Sequence, residues 1–150
     1  MTKARSTLAT LLRVREFELT RAGAGYAQAA RGLATVGAVA RERAGRAAQG
    51  RASLVRRARA GEDAAVLRTA VAGVRLLGNA SRDAQQQVEQ ARAATEQAHE
   101  LLLEARSRVQ SLERLGERLA KEERLLVEKA EQRELDEVGM RRGGRARDQS

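Results

Sequence analysis

The sequence predicts an all-α protein, a long two-helix antiparallel coiled-coil hairpin, and three observations carry that prediction. Apolar residues return every three then four positions along most of the chain, the spacing of a helix face that packs on a second helix. The composition lacks what a compact core of 150 residues uses: there is one Tyr, one Phe and no Trp, while 33% of residues are charged. A mixture dominated by Ala, Arg, Leu and Glu with no Pro is that of long helices. Finally, Arg59-Ala60-Gly61-Glu62-Asp63 combines a helix stop with a helix start. Gly61 can adopt the left-handed conformation that ends a helix, and Asp63 can cap the next one.

The first helix is expected over about residues 5–60. Leu8, Leu12, Arg15, Leu19, Ala22, Tyr26, Ala29, Leu33, Val36 and Ala40 follow the seam spacing, and nine of these ten are apolar. Three of those ten are Ala, which allows close approach but buries little area. Seven glycines lie between Gly23 and Gly61, each costing a helix interior roughly 1 kcal/mol relative to Ala. The seam also fades after about Ala47. A weakly held helix is therefore expected, open to a break between Gly45 and Ser53, with Gly50 as a competing stop. With the turn near Gly61, the second helix is expected over about residues 63–138. Its register runs from Leu67 to Ala130 without a skip, and of 19 seam positions only Ser81, Thr95, Gly116 and Glu123 are not apolar. An unbroken period of this kind implies a left-handed supercoil. Gly139, Gly143 and Gly144 among arginines mark residues 139–150 as a disordered basic tail.

The two helices differ in expected length, roughly 84 Å against 114 Å at 1.5 Å per residue. Folding back at Gly61 sets Leu8 beside about Arg114 and leaves some 20 residues of the second helix without a partner from the same chain. That overhang carries Leu115, Leu119, Leu125, Leu126 and Val127. An uncovered apolar stripe marks a contact with another molecule; residues 1–7 or a second copy are the alternative covers. Leu101 and Leu103 flank the seam residue Leu102 and either widen the stripe or receive a third helix.

The net charge of +9 is unevenly distributed. Residues 1–62 hold 13 Lys/Arg against 4 Asp/Glu, residues 63–138 hold 12 against 15, and residues 139–150 hold 4 against 1. The basic stretch 41–59, with Arg51, Arg56, Arg57 and Arg59, is either a solvated helix end or a patch for an anionic partner. A nucleic-acid partner is the weaker reading, since no aromatics are interleaved for base stacking and no recognition motif is present. Anionic lipid is a further candidate for the same arginines.

Catalytic chemistry finds no support. His99 is the sole histidine and there is no cysteine, so no imidazole pair or thiolate cluster can form. The stretch Gly23-Ala24-Gly25 lacks the strand and the Lys-Ser/Thr of a phosphate loop. No catalytic residue, cofactor, metal or small molecule is expected. No apolar run approaches the roughly 20 residues needed to span a bilayer, and Arg13 and Arg15 interrupt the only candidate signal-peptide core, so the expected compartment is the cytoplasm.

The run Glu131-Gln132-Arg133-Glu134-Leu135-Asp136-Glu137, followed by Arg141, resembles the C-terminal signature of the FliJ family of flagellar export proteins. Leu112-Glu113-Arg114-Leu115-Gly116-Glu117-Arg118 is similar to that family's approach to the signature, and Leu11-Leu12-Arg13-Val14-Arg15-Glu16 to its opening. The resemblance implies a two-helix coiled coil similar to the shaft of rotary ATPases. Its ends would engage the hexameric export ATPase, and it would also contact the export-gate membrane protein and export chaperones or substrates. On this basis Leu115, Leu119, Leu126, Glu131, Leu135, Asp136 and Glu137 are candidate ATPase-binding residues. The expected location is the cytoplasm, peripherally at the inner face of the membrane at the flagellar base, with a free monomer expected. A general coiled-coil scaffold and a nucleic-acid-associated basic coiled coil remain the alternatives.

Overall fold

The computed structural model describes residues 2–149. It contains two long helices packed against each other, α1 (Thr2–Arg59) and α2 (Ala64–Asp148), and no strand among the described residues. The connection is built on hydrogen bonds that the sequence makes available. Gly61 has φ +75°. Its N–H donates to the Ala58 carbonyl at 3.2 Å, and the Glu62 N–H donates to the Arg57 carbonyl at 3.3 Å. This pair satisfies carbonyls that the end of α1 would leave orphaned. Arg57 Nε donates to Glu62 Oε2 at 2.7 Å, tying the last turn of α1 to the connection. The Leu67 N–H donates to the Asp63 carbonyl at 3.0 Å, so Asp63 is the residue from which α2 starts. Arg56, Arg57 and Arg59 lie in the last turn of α1, where cations complement the helix dipole.

The chain divides into two compact units, residues 18–105 and a second formed by residues 1–17 with 106–150.

In the unit of residues 18–105, the seam is made of small side chains. Ala84 is 1% exposed and Ala47 2%, and Ala40 and Val88 are buried beside Leu33 and Val36. No large side chain is fully buried, so each seam layer contributes little hydrophobic area. Stability comes from repetition of thin layers. The seam position Thr95 is accommodated because its hydroxyl donates to Ala91 O at 2.7 Å and reaches the Ala29 carbonyl of α1 at 3.3 Å. α1 is unbroken through Gly45 and Gly50, contrary to the expected weak point. The seam does not fade after Ala47 either: Gly50, Leu54 and Arg57 continue it, half-buried, at the same spacing. Gly50 is a packing residue and not a stop. A Cβ there would stand 2.9 Å from Leu77 Cδ1, so the helices approach closely because the side chain is absent.

In the unit of residues 1–17 and 106–150, Val109 is buried and Leu8, Leu12, Leu112 and Leu119 are half-buried. Gly116, another non-apolar seam position, opens space for Leu8, whose Cδ2 lies 3.3 Å from where a Cβ would sit. Glu123 forms an ion pair with Arg5 of α1. α2 then continues through Gly139, Gly143 and Gly144 to Asp148, where the sequence reading expects a disordered tail. Those glycines sit singly or in a pair among Met140, Arg141, Arg142, Arg145 and Ala146, which are good helix formers, and no Pro or positive-φ residue ends the helix.

Candidate partner-binding surface

α2 past Glu123 is the most exposed part of its unit. Every residue from 124 to 149 is exposed. Leu125 (54%), Leu126 (60%), Leu135 (66%) and Met140 (78%) are therefore aliphatic side chains set out in water on a helix with no facing helix. Glu131, Glu134, Leu135 and Val138 line one shallow groove, as expected of residues spaced by three and four on one helix face. Glu137 and Asp136 are exposed beside it, and Asp136 accepts a hydrogen bond from Gln132 Nε2 at 3.3 Å. The groove thus carries two carboxylates followed by two aliphatic side chains.

The expected overhang needs one correction. Leu115 and Leu119 do not lie in it. Leu119 is half-buried and Leu115 is 39% exposed at the seam edge, both inside the stretch that ends at the Arg5–Glu123 pair. The helices pair beyond the expected point because α1 begins at Thr2 and the small residue at Gly116 leaves room for the half-buried Leu8. The free segment begins at Arg124, so Leu126, Glu131, Leu135, Asp136 and Glu137 remain together in it, and Leu115 and Leu119 belong to the packed stretch.

Other exposed aliphatics lie closer to the seam. Leu101 and Leu103 are 60% and 48% exposed beside the half-buried Leu102, so they do not join the packed stripe. Phe17, the sole phenylalanine, is 69% exposed, with Val14 and Leu11 on the preceding turns. Sequence reasoning missed Phe17, although its position two residues past the seam residue Arg15 puts it on the outer face.

His99 stacks at a tilt on Tyr26, ring centroids 5.4 Å apart. Among the described residues no group of three or more His, Cys, Asp or Glu could hold a metal ion. No helix among them is long and apolar enough to cross a membrane.

At the opposite end of the sequence's charge pattern, Arg51, Arg56 and Arg59 are exposed, whereas Arg57 is half-buried and engaged with Glu62. Their spacing distributes them around α1.

Two long helices packed against each other, with exposed leucines on α2 past Glu123, define an all-α helical hairpin. The comparison with known families gives this class a specific content. A family model described as "Flagellar FliJ protein" matches residues 4–148, and the chain belongs to that family. It is accordingly a flagellar export protein. No curated protein and no solved structure matches it.

Proposed function

We propose that this chain is the stalk-like coupling component of the flagellar export ATPase. In this reading the ATPase hexamer grips α2 beyond Glu123. Leu126 and Leu135 fill apolar sockets, and Glu131, Asp136 and Glu137 meet basic groups at the socket rim. The chain works by packing and ion pairing and carries out no chemistry of its own. The same protein would link the ATPase to the export-gate membrane protein and to export chaperones or substrates, at the inner face of the membrane.

The observation that carries the reading is the run of exposed aliphatics on α2 after the Arg5–Glu123 pair. Leaving several leucines in water is unfavourable by roughly 1.5–3 kcal/mol each relative to burial, and a partner that covers them recovers that energy. The test is co-purification with the cognate hexamer and the rate of ATP hydrolysis with and without this chain. Leu126→Asp with Leu135→Asp should abolish both while the helical circular dichroism is unchanged. Concentration-dependent dimerisation through the same leucines, with no ATPase binding, would favour a coiled-coil scaffold instead.

A further inference from the structure

The turn-proximal part of the unit of residues 18–105 is more basic than either arm suggests. From Arg41 to Arg82 there are ten arginines and three carboxylates. Three of the arginines, Arg68, Arg75 and Arg82, open α2 at intervals of seven residues, so they form one row, roughly 10 Å apart along the helix. Arg82 lies back over Gly78, its Nη2 3.8 Å from where a Cβ would stand. On α1, Arg41 lies back over Gly37 in the same manner, at 3.6 Å from Nη1. Gly37, Arg41 and Ala44 share a groove with Gln85 and Arg92, so these flanks of the two helices face the same side.

Carrying the heptad along each helix from those residues fills in the face. α1 contributes Arg41, Ala44, Ala48, Arg51, Val55 and Ala58. α2 contributes Arg68, Val71, Arg75, Gly78, Arg82 and Gln85. No Asp or Glu occupies these positions; the next position of the α2 row is Glu89, one turn before Arg92. Arg41, Arg51, Arg68, Arg75, Arg82 and Arg92 are all exposed, and among the described residues none forms an ion pair. Between them the ground is alanine and glycine, low enough not to hold a partner surface away, with Val55 49% exposed.

We propose that this face docks on an anionic lipid bilayer. Two adjacent helices bearing separated guanidinium groups present a flat, two-dimensional array, the form of a headgroup layer. Each arginine near an anionic leaflet is attracted to it, and the exposed Val55 between them gains by reaching the headgroup–acyl boundary. A nucleic acid fits the same charges less well. There is no aromatic from residue 41 to 92 on which a base could stack, and Val55 and Val71 gain nothing from a phosphate rail. This inference deepens the reading that the chain works at the membrane face, but it uses residues remote in sequence from the exposed end of α2. Failure to bind vesicles would end it while leaving the ATPase pull-down untouched.

The experiment is co-sedimentation of the full chain with vesicles of phosphatidylcholine alone or with 30% phosphatidylglycerol added. It is run at low and high salt, with a 30-base-pair DNA duplex as a parallel ligand. Binding is expected only to the anionic vesicles and should weaken at high salt. Arg68→Glu with Arg75→Glu and Arg82→Glu should lower partition about a hundredfold. The control Arg141→Glu with Arg142→Glu and Arg145→Glu reverses the same number of charges and should lower it far less. All six positions are exposed, and unchanged circular dichroism verifies the helices. Absence of binding to anionic vesicles, equal loss from both triple variants, or tighter binding to the duplex than to the vesicles would each overturn the proposal.

Discussion

Arg5 and Glu123 form an ion pair from α1 to α2, and beyond Glu123 no residue of α2 up to Asp148 is even half-buried. The pair marks where intramolecular packing gives way to free helix. Because the Arg5 side chain is 61% exposed, the pair itself is worth little. Arg5→Ala should lower stability by less than about 1 kcal/mol in thermal or urea unfolding, and its visible effect should be faster amide exchange confined to the first turns of α1.

Free helix has only its own hydrogen bonds to hold it, and isolated helices of this length are marginal in water. Hydrogen exchange should therefore find residues 124–148 the least protected part of α2 in the free protein. Binding of the export ATPase should protect the segment selectively. Strong protection without any partner would contradict the exposed environment of these residues.

The glycines divide into two groups that a mutation series can separate. A Cβ at Gly45 meets nothing within 4 Å, so Gly45→Ala should stabilise the protein by about 1 kcal/mol through helix propensity. Gly50→Ala has the same propensity gain but places a methyl 2.9 Å from Leu77 Cδ1, so Leu77 must rotate away and the gain should be largely lost. Leu77→Ala in the Gly50→Ala background should cost less than Leu77→Ala alone, as a double-mutant cycle by thermal unfolding would read.

Gly61 differs from both groups because its φ of +75° is what ends α1. Gly61→Ala should destabilise by roughly 1 kcal/mol through left-handed strain alone, with nothing near its Cβ to clash. A stabilising Gly61→Ala would mean that the turn takes another conformation.

The fold class was legible because a period repeated over many turns outweighs local noise. Of the 19 seam positions read in α2, those from Leu67 to Glu123 are buried or half-buried, and Leu126 and Ala130 are exposed. Even the four polar or small exceptions kept the register, Ser81 half-buried, Thr95 through its two carbonyl partners, Gly116 by admitting Leu8 and Glu123 by pairing with Arg5. The seam of α1 after Ala47 was not legible, because a hydrophobicity count scores Gly50 and Arg57 as absent when the backbone is in fact close. The boundary of the free segment was misplaced for a related reason. Leu115 and Leu119 look like Leu125 and Leu126 in sequence, and only the depth to which Leu8 seats at Gly116 separates them. The arginine row of α2 was hidden by averaging over 63–138, whose distal carboxylates cancel it; the seven-residue spacing of Arg68, Arg75 and Arg82 was the signal that could have found it.

In the function proposed, the free end of α2 is the handle by which another machine holds this protein. Stimulation of the cognate export ATPase by the purified chain tests it most directly, comparing the natural sequence with Leu126→Asp plus Leu135→Asp at equal helical content. The account predicts stimulation by the first and none by the second. Equal stimulation by both would contradict it.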